Sequence, residues 1–231
     1  RARVRTCAVH IAPHRARAHM RTAHWYCVSM RAWIGTSGYN YPEWRGTFYP
    51  EKFAASKMFG YYSERFRTVE INYTFYRMPT AALIDKWAAQ APAGFRYTLK
   101  APKRITHDRR LKDCATETAF FTDLARTLGP SLATVLFQLP PTMKCDLARL
   151  DDFLATLPRD LRAAFEFRHD SWLVDAVYTR LRDAGYALCI ADFGDKTTPF
   201  ETPARYGYLR LRDEGYQAAD LARWADRLAG Q

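Results

Sequence analysis

The sequence predicts an α/β protein folded as a TIM-type (β/α) barrel that lacks its last strand–helix unit. Short apolar runs alternate with amphipathic helical stretches from Met30 to the end of the chain. Seven such runs are present, and the short connections between them require parallel strands with right-handed crossovers. No G-x-G-x-x-G fingerprint follows the first run, which favours a barrel over a dinucleotide-binding sheet.

Strands and helices alternate regularly through the first half of this region. They are predicted at residues 32–37, 53–66, 68–73, 80–90 and 95–100. The first strand is an apolar run that ends in a Gly-Thr-Ser-Gly sequence, and the first helix carries aromatic residues on one face. The second helix begins after Pro79 and ends before Pro92, because proline starts a helix readily but cannot continue one.

The second half repeats the alternation and ends on a helix. Its elements are predicted at residues 115–128, 132–139, 146–157, 162–168, 173–184, 186–192, 206–212 and 218–228. Glycine and proline give the boundaries. Gly129-Pro130 ends the first of these helices, Pro140-Pro141 stops the strand after it, and Gly185 closes a later helix.

Composition limits the class of protein. A length of 231 residues suits one barrel domain, and a hydrophobic fraction of 48 % disfavours disorder. No apolar run is long enough to span a membrane or to act as a secretory signal, so we expect a cytoplasmic protein with no membrane partner. Five cysteines without a C-x-x-C pair predict free thiols.

Residues 1–29 differ in composition from the barrel domain, residues 30–231. They contain six arginines, no acidic residue and four of the six histidines. The segment is predicted to be a non-native or disordered basic extension, with translation starting at Met30. A transit peptide is a second interpretation. A zinc site is a third, and its ligands would be Cys7, His10, His14 and Cys27.

Polar residues interrupt the predicted strands near their carboxyl ends, which meet at one mouth of a parallel barrel. We predict an active site there, with Glu70 and Glu166 as the catalytic acid and base. The predicted substrate-binding residues are Asn72, Lys100, Gln138, Arg168 and Arg210. The alternative is a structural ion-pair network in which the two glutamates pair with Lys100, Arg168 or Arg210.

The cofactor is not predicted, and no metal site is assigned. Glu70 and Glu166 together with Asp192 could hold a divalent ion, but carboxylates without fixed spacing are weak evidence for one. A nucleophilic triad is not supported, since only His107 and His169 lie in the barrel domain and no G-x-S-x-G elbow exists.

Aromatic residues gather in the loops that follow the strands. Tyr39, Trp44, Tyr76 and Trp172 either form a stacking wall for a ligand or pack the loops over the barrel mouth. The expected partner is a small polar or anionic molecule. A nucleic-acid-binding module is less favoured, because residues 30–231 carry 29 basic against 24 acidic residues. A non-catalytic scaffold is a third possibility, and the oligomeric state is not predicted.

Six sequence stretches together resemble the YecE-like family, also called domain of unknown function 72. They are residues 35–39, 44–50, 69–76, 137–141, 165–172 and 208–212. The resemblance implies a TIM-type barrel with a polar pocket of unassigned activity. Two departures from the family pattern are expected. Relatives begin near the position of Met30, and they carry a further strand and helix after the position of Gly230.

Overall fold

The chain forms a barrel of eight strands with helices on its outside. A computed structural model describes residues 7–15, 28–193, 196–213 and 215–229, with side chains described from Arg31 onward. The strands are β1 Cys7–Arg15, β2 Val28–Ser37, β3 Thr68–Ile71, β4 Arg96–Lys100, β5 Leu132–Gln138, β6 Ala163–Glu166, β7 Ala187–Asp192 and β8 Gly207–Leu211. Each strand pairs with the next along the chain, and β1 pairs with β8.

Seven of these strands, β2 to β8, are parallel, as expected for an incomplete TIM-type barrel. The eighth position differs from the expectation. Strand β1 fills it and runs antiparallel to both β2 and β8. Without β1 the backbone groups at the edges of β2 and β8 would lack partners, and a preceding segment can satisfy both edges at once.

Part of the predicted basic extension therefore lies in the sheet rather than outside it. Composition could not show this, because arginines and histidines disfavour a strand but do not prevent one when both neighbouring strands offer backbone partners. The side chains of the possible zinc ligands are not among those that the structure describes. Translation from Met30 remains a prediction.

The predicted helices follow the strands, and all but the last are shorter than predicted. The helices are α1 Met58–Ser63, α2 Tyr73–Tyr76, α3 Ala81–Gln90, α4 Ala115–Arg126, α5 Leu147–Ala155, α6 Asp175–Ala184 and α7 Ala218–Ala229. Thr80 and Asp146 cap α3 and α5 by accepting backbone N–H bonds from Leu83 and Arg149. Gly185, at φ 76°, ends α6 in the left-handed region. No described helix is long and apolar enough to cross a bilayer.

Two predicted boundaries were wrong near the mouth. Strand β3 ends at Ile71, and Asn72 begins the short helix α2, which the sequence did not reveal. Strand β6 ends at Glu166, so Arg168 lies in the following loop. Strand periodicity cannot locate such ends, because a polar residue can either point into the barrel or start a loop.

Two layers of core stabilise the barrel. The larger layer packs the outer faces of the strands against the helices and includes Phe137 and Phe165, whose rings stack at 5.3 Å. The inner layer fills the barrel, and it consists of Leu136, Ala164, Ala187, Cys189 and Tyr208. Cys114, Cys145 and Cys189 are free thiols, as predicted for them. The inner layer closes the barrel below the polar mouth.

Gly35 marks a close approach between β2 and β3. A Cβ atom at this position would lie 1.9 Å from the carbonyl oxygen of Thr68, which is part of the backbone and cannot move independently. Gly60 in α1 offers a contrast, since no atom lies within 4 Å of its ideal Cβ position.

We predict that Gly35→Ala lowers the free energy of unfolding by about 1–3 kcal/mol or more, the usual cost of overpacking. Gly60→Ala is the control, and it should be neutral or stabilising by up to about 1 kcal/mol, because alanine favours a helix. Urea titration of both variants gives the comparison. Equal behaviour of the two variants would contradict the close approach of β2 to β3.

Candidate functional site

Arg210 lies at the centre of the barrel mouth and contacts two carboxylates. Its Nη2 donates to Oε1 of Glu70 at 3.0 Å, and its Nη1 donates to Oε2 of Glu166 at 2.5 Å. Nη1 also donates to Oε1 of Gln138 at 3.3 Å. Both glutamate side chains are fully buried, and 4 % of the Arg210 side chain is exposed. The structural ion-pair network, which the sequence allowed as the alternative to an active site, is therefore present.

Strand geometry brings these groups together. Tyr208 and Arg210 are two residues apart on β8, so their side chains share the inner face. Glu70 lies on β3, while Gln138 and Glu166 end β5 and β6. The carboxyl ends of all these strands meet at one mouth, so residues distant in sequence converge there.

Glu70 is held by two more donors, one on β2 and one on β8. Its Oε1 accepts from the Ser37 hydroxyl at 2.6 Å, and its Oε2 accepts from the Tyr208 hydroxyl at 2.7 Å. The Asn72 amide donates to the Ser37 hydroxyl oxygen at 2.6 Å. Asn72 thus orients the network instead of projecting freely into the mouth. Both oxygens of Glu70 are occupied by donors from the protein itself.

The two carboxylates stay ionised despite their burial. Burial alone would raise the pKa of Glu166, but the charges and hydrogen bonds of Arg210 and Arg168 outweigh it and lower the pKa to about 2. For Glu70, burial is likewise outweighed by Arg210, Ser37, Tyr208 and Lys100, and the net pKa is lowered. An acid or base that works near neutral pH needs a pKa close to that pH.

The predicted catalytic roles of Glu70 and Glu166 therefore find no support in this geometry. Each carboxylate is enclosed, accepts hydrogen bonds on both oxygens and has a lowered pKa. Their observed role is to hold Arg210 inside the barrel.

Lys100 has no counter-ion within ion-pair distance among the described residues, in contrast to Arg168 and Arg210. It ends β4 and is 9 % exposed. Its Nζ lies 4.0 Å from the centroid of the Phe75 ring, a cation–π contact, and no ion pair or hydrogen bond to Nζ exists within the described part of the chain. Burial, followed by the charge on Arg210, lowers the pKa of Lys100 to about 8, against the opposing effect of Glu70 and Glu166.

Arg168 and Arg212 complete the set of cations, and both lie near the ring of Phe193. Their guanidinium carbons lie 5.7 and 5.2 Å from the centroid of that ring. Arg168 donates Nε to Oε1 of Glu166 at 2.8 Å, which leaves its two Nη groups without a partner among the described residues. The Nε of Arg212 is buried with no hydrogen-bond partner.

His107 was not predicted to belong to the site. It lies in the π-helical turn Arg104–Asp108, and its ring meets Phe75 edge-on at 4.9 Å. Burial and the nearby charges of Lys100, Arg168 and Lys103 lower its pKa, so the imidazole is neutral at neutral pH. Nδ1 lies 2.9 Å from the Thr106 hydroxyl. Position in a loop beyond β4 was the available signal, but one histidine in a loop is weak evidence.

Tyr208 and Ser37 were also missed, although a signal existed for both. Tyr208 lies two residues before Arg210 on the same strand, and strand alternation alone places the two on one face. Ser37 ends β2 at the same mouth. Both residues are neutral, whereas the prediction gave weight to charge.

The aromatic residues mostly pack the loops. Trp172 is fully buried, stacks on Phe167 at 4.8 Å and donates its indole N–H to a backbone carbonyl at 2.7 Å. Trp44 is buried within a cluster of rings, and Tyr39 packs against Phe59. Tyr76 is 77 % exposed and contacts Phe75. Packing of the loops, the second interpretation of these residues, accounts for Trp44 and Trp172.

The possible divalent site does not form around the two glutamates. Asp192 accepts from the hydroxyls of Thr197 and Tyr216, at 2.8 and 2.6 Å, on the outer side of β7. Within the described ranges, no group of three histidine, cysteine or acidic side chains is arranged to hold a metal ion.

We predict that Arg210→Met lowers the free energy of unfolding by about 3–5 kcal/mol, because Glu70 and Glu166 would stay buried without their shared counter-ion. Urea titration measures the loss. Arg126→Met is the control. It removes an exposed partner of Asp160 and should change stability little. Equal losses in both variants would show that Arg210 does not hold the mouth together.

The lowered pKa of Glu166 also predicts a dependence of stability on pH. In the unfolded chain a glutamate titrates near pH 4.3. The stabilisation from Glu166 is thus complete above that pH and is lost as pH falls toward about 2. Glu166→Gln removes this contribution, so the stability gap between wild type and variant should narrow between these two pH values.

Urea midpoints measured across that pH range test this prediction. Glu43→Gln, at an exposed carboxylate, is the control and should keep a constant gap from the wild type. A gap for Glu166→Gln that stayed constant down to the lowest pH would contradict the strong pairing of Glu166.

Comparisons with known proteins show to which family the chain belongs. The family model described as "Protein of unknown function DUF72" matches residues 33–231. The chain is 31 % identical over 109 residues to UPF0759 protein YecE of Escherichia coli K12, a match covering 47 % of this chain and 40 % of that protein. It is 30 % identical over 155 residues to UPF0759 protein YunF of Bacillus subtilis, covering 63 % of this chain and 54 % of that protein.

Solved structures agree with the fold. A DUF72 family protein from Thermotoga maritima superposes with a TM-score of 0.64 at 29 % identity, over 74 % of this chain and 70 % of that chain. A DUF72 family protein from Enterococcus faecalis gives a TM-score of 0.60 at 19 % identity, over 74 % of this chain and 80 % of that chain, and supports the fold alone. The matched segment spans about half or less of each named UPF0759 relative. The chain belongs to the DUF72 family, also named UPF0759, whose members are uncharacterised α/β barrel proteins.

Proposed function

We propose that the mouth of the barrel binds a small anionic molecule and that the protein is an enzyme acting on it. One observation carries the proposal: cations outnumber carboxylates in the interacting cluster at the mouth. Among the described residues, that cluster contains four cations, Lys100, Arg168, Arg210 and Arg212, and two carboxylates, Glu70 and Glu166. Buried cations without counter-ions are costly, and a bound anion would remove that cost.

The available donors favour an oxyanion. Both Nη groups of Arg210 are occupied by the glutamates, and its Nε is enclosed without a partner, so the donors open to a ligand are Nζ of Lys100, the Nη groups of Arg168 and the guanidinium of Arg212. A guanidinium presents N–H groups in a planar fork that matches carboxylate or phosphate oxygens. The arrangement supports binding of a molecule with one such group, held beside Phe193.

Two groups are available for proton transfer once the glutamates are excluded. Lys100 has a pKa of about 8, and His107 has a lowered pKa and a free Nε2. Both lie against the same face of the mouth, in contact with Phe75. Titratable groups with perturbed pKa values in a cleft are typical of catalytic sites. This supports an enzyme rather than a scaffold.

The small-molecule interpretation has more support than a nucleic-acid-binding module. Stacking of successive bases needs exposed rings along a groove. Of the rings considered for stacking, Trp44 and Trp172 are buried and Tyr39 is packed against Phe59. Only Tyr76 is well exposed. Binding of an oligonucleotide with a steep dependence on salt would favour the alternative.

We predict that inorganic phosphate or citrate raises the melting temperature of the wild type beyond the effect of chloride at equal ionic strength. Saturation at about 100 times the dissociation constant corresponds to about 2.7 kcal/mol. Arg212→Gln should remove most of that gain and cost little without the anion, because its Nε has no protein partner to lose.

Arg104→Gln is the matched control, since that side chain is 62 % exposed and pairs with Glu117 outside the charge cluster. It should retain the full anion effect. Equal stabilisation by phosphate of the wild type and Arg212→Gln would contradict an anion site at the mouth.

A further inference from the structure

Lys100 differs in environment from every other lysine of the chain. All eight lysines lie among the described residues, and the other seven are exposed. Lys100 is 9 % exposed and lies at the carboxyl end of β4, on the mouth side of the barrel. Its Nζ has no hydrogen-bond partner among the described residues and is not fully enclosed, so it is accessible from the mouth. It is an unpaired amine facing the proposed anion site.

Burial changes the chemistry of this amine. A lysine is a nucleophile only when neutral, and desolvation beside another cation favours the neutral form. With a pKa of about 8, Lys100 at pH 7.5 has a neutral fraction about two orders of magnitude above that of a lysine of ordinary pKa, about 10.4.

We infer that Lys100 forms a covalent imine with a small carbonyl compound that carries an anionic group, such as a 2-oxo acid. The inference rests on the proposed function for the anionic group, which Arg168 and Arg212 would hold. The ketone or aldehyde carbon of the same molecule then meets Nζ. An unpaired amine near guanidinium groups with free donors favours a ligand that carries both a carbonyl group and an anionic group.

The chemistry balances with groups at the mouth. The neutral Nζ forms a bond to the carbonyl carbon while the carbonyl oxygen takes up a proton, which gives a carbinolamine. A second proton then reaches the hydroxyl, and water leaves as the C=N bond forms. His107 is neutral, and its Nε2 has no partner among the described residues, so it can carry a proton from Nζ to the oxygen in each of the two steps, and both protons of the released water come from Nζ.

Reductive trapping of the full chain tests the inference. The protein is incubated with pyruvate and sodium cyanoborohydride, which adds hydride to the imine carbon and fixes the adduct, and peptides are mapped by mass. We expect Lys100 to be labelled about a hundredfold faster than the exposed lysines, following the neutral fractions. The rate should rise with pH around a midpoint near 8. Acetone, which lacks an anionic group, should label Lys100 more slowly than pyruvate does.

Two variants separate nucleophile from charge. Lys100→Arg keeps a cation at the mouth but cannot form an imine, so trapping should vanish while stabilisation by phosphate persists. Lys103→Arg is the control, because Lys103 is exposed and pairs with Asp108. It should leave trapping at Lys100 unchanged.

Labelling of exposed lysines at the same rate as Lys100, or no label on Lys100, overturns the imine. If phosphate still stabilises the wild type in that case, the proposed anion site stands without it. Trapping at Lys100 that is equally fast with acetone, without any stabilisation by phosphate, would support the nucleophile and overturn the anion site.

Discussion

The salt bridges from Arg210 to Glu70 and Glu166 determine the rest of the mouth. A guanidinium buried in a barrel needs compensation, and two carboxylates at 3.0 and 2.5 Å provide it. Through Glu70 the network reaches Ser37 on β2 and Tyr208 on β8. The strands that converge at the mouth are thus joined by side chains as well as by backbone hydrogen bonds. Loss of Arg210 would leave both carboxylates buried without the counter-ion that they share.

The same salt bridges decide which groups remain available to a ligand. Because both carboxylates are committed to arginine, Lys100 has no carboxylate to pair with and Arg212 keeps an unsatisfied Nε. The buried network around Arg210 and the cations of the proposed anion site are therefore two parts of one arrangement. The proposed acid–base groups are therefore Lys100 and His107 rather than the glutamates, and burial is the largest cause that lowers the pKa of each.

Much of the fold was predictable from the sequence because each strand and helix leaves a local pattern. The seven parallel strands and the long helices follow from periodicity and from Gly and Pro boundaries. Strand β1 was not predictable, since its place depends on two sheet edges that form only in three dimensions. The four-residue helix α2 is too short to leave a periodic pattern.

The residues of the mouth were predictable as a group, whereas their roles were not. Convergence of Glu70, Lys100, Glu166 and Arg210 follows from their positions near strand ends. Which cation pairs with the carboxylates depends on side-chain geometry, which strand positions alone do not determine. Arg210 forms both pairs, and Lys100 has no ion-pair partner among the described residues. Trp44 and Trp172 were predicted as possible ligand contacts, but both are buried, because a ring in a loop can be buried as readily as exposed.

A crystal structure with selenate, located by its anomalous scattering, tests the central claim most directly. If the glutamates hold Arg210 and leave the other cations free, selenate should bind between Arg168 and Arg212 near Lys100. Arg210 should keep both of its carboxylate contacts in that complex. Selenate bound only on the outer surface, or Arg210 released from Glu70 and Glu166 to bind the anion, would contradict the division between the structural network and the anion site.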